Sequence, residues 1–157
     1  MDMPVGNAVI RDAVEADVAA LAAIFAADDK GGHGDTADPS ALPSYLAAFR
    51  TIENSPDNRL FVIEYGGEVI GTAQVTFITS LSGRGSTKVT IEALQIRGDM
   101  RGHRLGERLM RHCIEFGRAR GVALVDLMSN GVRTDAHRFY ERLGFVKSHA
   151  GFKMKLE

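Results

Sequence analysis

Residues 88 to 128 constrain the fold of this chain most. Lys88 to Ile96 reads as a strand, and Leu105, Leu109, Cys113 and Phe116 then recur on one helical face that ends at Gly121. Ala123 to Met128 is a short, nearly continuous apolar run, the pattern of a strand buried on both faces. A strand-helix-strand unit of this kind needs further strands beside it, and the preceding sequence supplies them. Leu60 to Tyr65 and Val69 to Phe77 are rich in β-branched and aromatic residues, and Gly66-Gly67 between them offers the positive φ angles of a tight hairpin. The expected class is therefore mixed α/β, with antiparallel strands first and the strand-helix-strand unit in the middle.

The flanks extend the pattern. Val9-Ile10-Arg11 reads as a short strand, and Val14, Val18, Leu21 and Phe25 follow at helical spacing. Residues 28 to 43, rich in glycine, proline and acid, should form an exposed loop, with a helix through Tyr45, Phe49 and Ile52 behind it. Near the C-terminus Ala136, Phe139, Tyr140 and Leu143 mark a helix stopped by Gly144, and Phe152, Met154 and Leu156 alternate with Lys153 and Lys155 as a last strand. At 157 residues and 45% hydrophobic, the chain has material for one cored domain, taken as 1-157. The single Cys113 forms no internal disulfide, Met1-Asp2-Met3 lacks a basic signal-peptide start, and no apolar run approaches membrane-spanning length. A cytoplasmic protein without a membrane partner is expected.

The formal net charge of −1 hides an asymmetry: residues 1 to 58 carry 3 basic and 10 acidic side chains, the remainder 16 and 10. A chain divided in this way can hold an anionic ligand with one part and a cationic one with the other. The stretch "IRGDMRGHRLG", Ile96 to Gly106, is the candidate anion site. It joins a strand to a helix N-terminus, whose unpaired N–H groups and positive dipole end favour an anion. Gly102 and Gly106 allow close backbone approach, and Arg101 and Arg104 add charge-assisted hydrogen bonds. The stretch is neither a Walker A loop nor a dinucleotide-binding turn. A nucleic-acid partner is disfavoured by the acidic N-terminal third. His33 and Asp35 make no metal-ligand spacing with a second cluster, so no metal is expected.

The stretch "RGHRLGERLM" after a strand, followed about thirty residues later by "AHRFYERLGF", resembles the GNAT superfamily of acyl-CoA-dependent N-acyltransferases. Arg101 and Gly106 occupy the ends of that family's acyl-CoA signature, while Arg104 replaces its middle glycine. Ala136, Phe139, Tyr140, Gly144 and Phe145 are in step with its second signature, but Arg133 stands at the usual asparagine, with Asn130 three residues upstream as the alternative. The resemblance implies a mixed sheet whose central parallel strands splay apart at an acyl-CoA cleft, flanked by helices. It implies acetyl-CoA as cosubstrate, its pantetheine along Leu94, Gln95 and Ile96 and its phosphates on Gly102, His103, Arg104, Leu105 and Gly106, with Asn130 or Arg133 as a further contact.

The implied reaction is acetyl transfer to a primary amine. An alkylammonium has no lone pair and a pKa of about 10.4, so its proton must be removed before attack. Glu92, on the strand before the loop, is the candidate base, and its bland alternative is a polar residue on an exposed strand face. The resemblance assigns protonation of the departing thiolate to Tyr140, whose place on an apolar helical stripe otherwise suggests packing. The expected partner is a small-molecule amine; a protein amine and a non-catalytic acyl-CoA-binding domain are the alternatives, and a homodimer is an allowed assembly. The acidic first part, with Asp28, Asp29 and Asp35 in the loop, leads to an expected preference for acceptors carrying additional positive charge.

Overall fold

The computed structural model describes residues 5–28, 33–129, 131 and 133–156. Five strands form one sheet in sequence order: β1 (Val9–Asp12), β2 (Asn58–Tyr65), β3 (Glu68–Thr79), β4 (Thr87–Ile96) and β5 (Leu124–Leu127). Pairing is antiparallel from β1 through β4 and parallel between β4 and β5. The β2–β3 hairpin turns on Gly66 and Gly67, with φ of +60° and +81°, angles that cost glycine nothing because it has no Cβ.

Among the described residues, four helices of nine residues or more flank the sheet: α1 (Val18–Ala26), α2 (Leu42–Glu53), α3 (Leu105–Ala119) and α4 (Thr134–Arg142). Alternation along the strands sends successive residues to opposite faces, which separates two helical layers. Phe61, Ile63, Ile70, Val75, Val89 and Ile91 face α3, where Leu109, Met110 and Cys113 are fully buried. Cys113 is thus a packing residue, its thiol pushed up to about 12 by burial. Leu60, Val62 and Val69 face the other way, against Leu21, Ile24 and Phe25 of α1. The helix α4 lies on the α3 side, for Tyr140, Leu143 and Phe145 pack against that larger core.

One expected element does not form. The segment from Val146 onward contains no strand among the described residues, and Phe152, Met154 and Leu156 are 93%, 85% and 88% exposed. Alternation gives this segment an apolar edge, but a strand also needs a neighbouring ladder to accept its hydrogen bonds. Here the chain runs past the end of β5, close enough that a Cβ on Gly151 would touch Met128 Sδ at 3.4 Å, without joining it. Among the described residues, no helix is long and apolar enough to cross a membrane.

Candidate active site

The site begins with a defect in β4. Gln74 pairs with Glu92 and Thr72 with Gln95, so Ala93 and Leu94 together oppose Ala73, and Ala93 takes a φ of +53°. An extra residue of this kind bends a strand and sharpens its twist. Immediately before the bulge, the parallel pairing with β5 stops at Ile91 and Leu127. From Glu92 to Ile96, β4 stays laddered to β3 after its pairing with β5 has ended, which leaves the outer backbone groups of this stretch without a strand partner among the described residues. Leu94, Gln95 and Ile96 belong to this stretch. Ser129, just beyond β5, has a buried Oγ with no hydrogen-bond partner among the described residues. Sequence reasoning missed it; the signal was a polar residue closing an apolar strand.

Between the end of β4 and the first turn of α3 lies the loop from Arg101 to Gly106. Gly102 and Arg104 have φ of +86° and +60°, and Arg104 is the N-cap of α3. Left-handed residues alternating with ordinary ones turn successive N–H groups toward one concavity, an arrangement that binds anions. Arg104, which replaces the glycine of the resembling signature, keeps the backbone angle that glycine would adopt. Leu105 is buried and contributes through its backbone alone. Gly106 faces Ile96 and Phe139, where an added Cβ would stand 3.7 and 3.8 Å from their side chains. Backbone donors, a bare Gly106 and the unsatisfied Ser129 hydroxyl together fit a long ligand with an anionic end and amide groups.

The arginines near the loop divide by partner. Arg97 pairs with Asp99 and Glu68, Arg108 donates to the carbonyls of Val5 and Ala8, and Arg111 pairs with Glu107. Arg101 donates from Nε to the Ile96 carbonyl at 3.3 Å, and Arg104 is exposed with no ion pair among the described residues. Hence Arg104→Gly is expected to have opposite effects on stability and binding. Relief of left-handed strain, about 1–2 kcal/mol, outweighs glycine's added unfolded-state entropy of about 0.4–1 kcal/mol. Thermal unfolding should rise modestly, while loss of a charge-assisted contact weakens acetyl-CoA binding about tenfold in calorimetry. Unchanged affinity would remove Arg104 from the phosphate contacts.

Tyr140 lies on the α3 side, its ring 5.5 Å from that of Phe139 and 6.2 Å from that of Phe145. Burial raises its hydroxyl above the ordinary tyrosine range, and the positive charge of Arg133 opposes that rise. Arg133 itself is held by Asp28, Nη2 to Oδ2, at 2.8 Å. Asn130, the other candidate for the family asparagine, lies outside the described residues.

Glu92 projects on the opposite face, the α1 side, because Ile91 beside it faces the α3 core. It is exposed, with Gln74 as its cross-strand neighbour. One pair further along runs a polar row in register, Asn58, Thr76, Thr90 and Asp126. Thr76 donates to Asn58 at 2.7 Å, and Thr90 and Lys88 donate to the two oxygens of Asp126 at 2.6 and 2.8 Å. Lys88 and Thr90 thereby hold the Asp126 carboxyl below the ordinary range against its desolvation.

The acids of the first part are largely engaged. Asp12, Glu15, Asp17 and Asp28 face Arg59, Arg50, Arg11 and Arg133, Tyr45 donates to Asp35, and Asp38 accepts from the Ser40 N–H. Asp29 lies outside the described residues. Asp28 and Asp35, which the charge count placed before a cationic acceptor, therefore already serve internal partners. Among the described residues no group of three His, Cys, Asp or Glu side chains is placed to hold a metal ion.

Known proteins agree with this fold. A sequence model described as the acetyltransferase (GNAT) family matches residues 17–145. An aminoalkylphosphonate N-acetyltransferase of Salmonella typhimurium is 39% identical over 66 residues, covering 42% of this chain and 43% of that protein. A streptothricin acetyltransferase of Streptomyces lavendulae is 32% identical over 91 residues, covering 57% and 46%. The chain thus spans less than half the length of these two relatives. A crystal structure from Bacillus halodurans C-125, described as a transcriptional regulator, superposes with a TM-score of 0.91 at 36% identity, covering 96% of this chain and 100% of that one. With the bulged and splayed β4, the phosphate-shaped loop and the family match over most of its length, the chain belongs to the GNAT family of acetyltransferases.

Proposed function

We propose that this protein transfers an acetyl group from acetyl-CoA to a primary amine of a small molecule, by direct attack within a ternary complex. The observation that supports this reading is the end of β4–β5 pairing at Ile91, with the left-handed loop from Gly102 to Arg104 following on the same strand and a half-buried Tyr140 packed on the α3 side of the core. Acetyl-CoA, when bound, supplies an activated thioester carbonyl. Backbone groups of Leu94, Gln95 and Ile96 hold its pantetheine amides, and one N–H of this stretch donates to the oxygen on which negative charge develops. The N–H groups of Gly102 to Gly106 and the Arg101 and Arg104 side chains hold its phosphates.

Glu92 faces the acceptor and receives the ammonium proton, through a water where the distance requires one. As the new C–N bond forms and the C–S bond breaks, Tyr140 O–H gives its proton to the departing sulfur, and the second proton that the nitrogen loses on becoming an amide returns through solvent to the Tyr140 phenolate. The polar row from Asn58 to Asp126, about 7 Å along β4 from Glu92, gives the acceptor's distal groups hydrogen-bonding partners. Support for a small acceptor comes from the two relatives, whose names specify an aminoalkylphosphonate and streptothricin.

The regulator from Bacillus halodurans favours a second reading, a domain that binds acyl-CoA without turning it over. Both readings require acetyl-CoA binding, and they part at the amine. Free thiol release from acetyl-CoA should rise on addition of at least one member of a panel containing aminoalkylphosphonates, aminoglycosides, polyamines and a lysine peptide. Tight binding with no amine-stimulated release would leave the binding domain. Release stimulated by the peptide alone would make the acceptor a protein.

A further inference from the structure

We propose that the Asp28–Arg133 ion pair is a clasp across the splayed end of the sheet, which fixes the α1 layer to the helix that carries Tyr140, so that Arg133 is a positioning residue for acetyl transfer and not a ligand of the donor. The proposal rests on the acetyltransferase reading for its kinetic consequences only. Asp28 follows the end of α1 at Ala26, and α1 packs on the sheet face toward which Glu92 projects. Arg133 is the N-cap residue of α4, which packs on the other face with α3. The two side chains, 105 residues apart, meet at 2.8 Å with 15% and 25% of their surface exposed. Among the described ion pairs, only Arg11–Asp17 includes a more sheltered carboxylate, and that pair is only 6 residues apart in the chain.

Such shelter matters because an exposed pair is screened and holds little in place. The reaction as proposed needs groups from both faces to converge: Glu92 on the α1 side and Tyr140 on the α3 side. A misplacement of about 1 Å between them is enough to cost a large factor in rate. Arg133 and Tyr140 are seven residues apart, two turns of helix, and so share a side of α4. A guanidinium held at Asp28 therefore fixes the start of the helix on whose second turn the acid sits. Its charge also reaches the Tyr140 hydroxyl and stabilises the phenolate left when the proton has gone to sulfur. With Nη2 committed to the Asp28 carboxylate, the Arg133 side chain is turned to the α1 layer, and in this proposal it does not take the contact that an asparagine makes with the donor in the resembling signature.

The test uses the full chain and the variants Asp28→Asn, Arg133→Gln, Arg133→Lys and the exchange Asp28→Arg with Arg133→Asp. Acetyl-CoA affinity comes from calorimetry, kcat and the amine KM from thiol release, and local opening from amide hydrogen exchange. Either neutralisation should lower kcat about tenfold with acetyl-CoA affinity within about twofold, and the two together should cost no more than one. Arg133→Lys should recover part of the rate, and exchange should quicken together at the end of α1 and the start of α4. Weaker acetyl-CoA binding in Arg133→Gln but not in Asp28→Asn would overturn the proposal and make Arg133 a donor ligand. A lower melting temperature with unchanged kcat and amine KM would reduce the pair to a structural one. Should the wild-type chain turn over no amine, the acetyltransferase reading fails, and exchange decides the clasp alone: quickening on both sides of the sheet with unchanged affinity supports it, and quickening confined to one side ends it.

Discussion

Tyr140→Phe is expected to lower kcat by about 10²-fold or more, the usual worth of a positioned general acid, with acetyl-CoA affinity unchanged. The tyrosine ring packs with Phe139 and Phe145, and these contacts need no hydroxyl. A phenylalanine therefore keeps the helix seated against the core. What it loses is the proton. Burial raises the Tyr140 hydroxyl above the ordinary tyrosine range, so at neutral pH the residue is a neutral donor, and in the proposed mechanism the departing thiolate is the base that calls on it. The sharpest comparison is with a donor whose leaving group needs no proton: an acetyl ester of an acidic thiophenol should be far less sensitive to the substitution than acetyl-CoA. Wild-type turnover of acetyl-CoA by the variant across the pH range would return Tyr140 to packing.

Gly106→Val is expected to weaken acetyl-CoA binding by an order of magnitude or more, while Gly106→Ala is tolerated. An added Cβ at this position meets Ile96 and Phe139 at ordinary contact distances, so alanine fits without displacement. The two further methyls of valine enter the space between α3 and α4, where the donor must pass close to the helix N-terminus. Valine has a higher helix propensity than the glycine it replaces, so a large loss of affinity with no fall in melting temperature separates obstruction from unfolding. Equal affinities for acetyl-CoA in the wild-type, alanine and valine chains would place the phosphates elsewhere.

Much of the fold was legible because periodicity states it directly. The two-residue alternation of β2 and β3, the apolar stripe of α3 and the continuous run of β5 each depend on neighbours in sequence. So does the loop from Arg101 to Gly106. The rest depended on partners far away. Arg133 reads as a free cation beside a signature motif, but it is bound to Asp28 across the molecule. The acidity of the first part reads as an open negative surface, but arginines from both parts of the chain meet much of it. Ala93 and Arg104 carry no propensity for positive φ, so neither the bulge nor the retained turn could be read from their identities. The apolar alternation of Phe152, Met154 and Leu156 is real, yet alternation specifies a face and not a partner.

The divergence of β4 from β5 has a consequence for how this protein avoids unwanted association. Every open sheet has two lateral borders whose unsatisfied N–H and C=O groups invite strands from other molecules, and proteins shorten, charge or cover them. Here a third such border, Glu92 to Ile96, follows the point where the parallel pairing with β5 stops at Ile91 and Leu127. In the proposed reaction a slender chain bearing two amides meets this border, recognised by the same ladder chemistry that would otherwise drive aggregation. The border is also short, from Glu92 to Ile96, broken by the bulge at Ala93 and closed by the buried Ile96, features that leave another strand little to pair with.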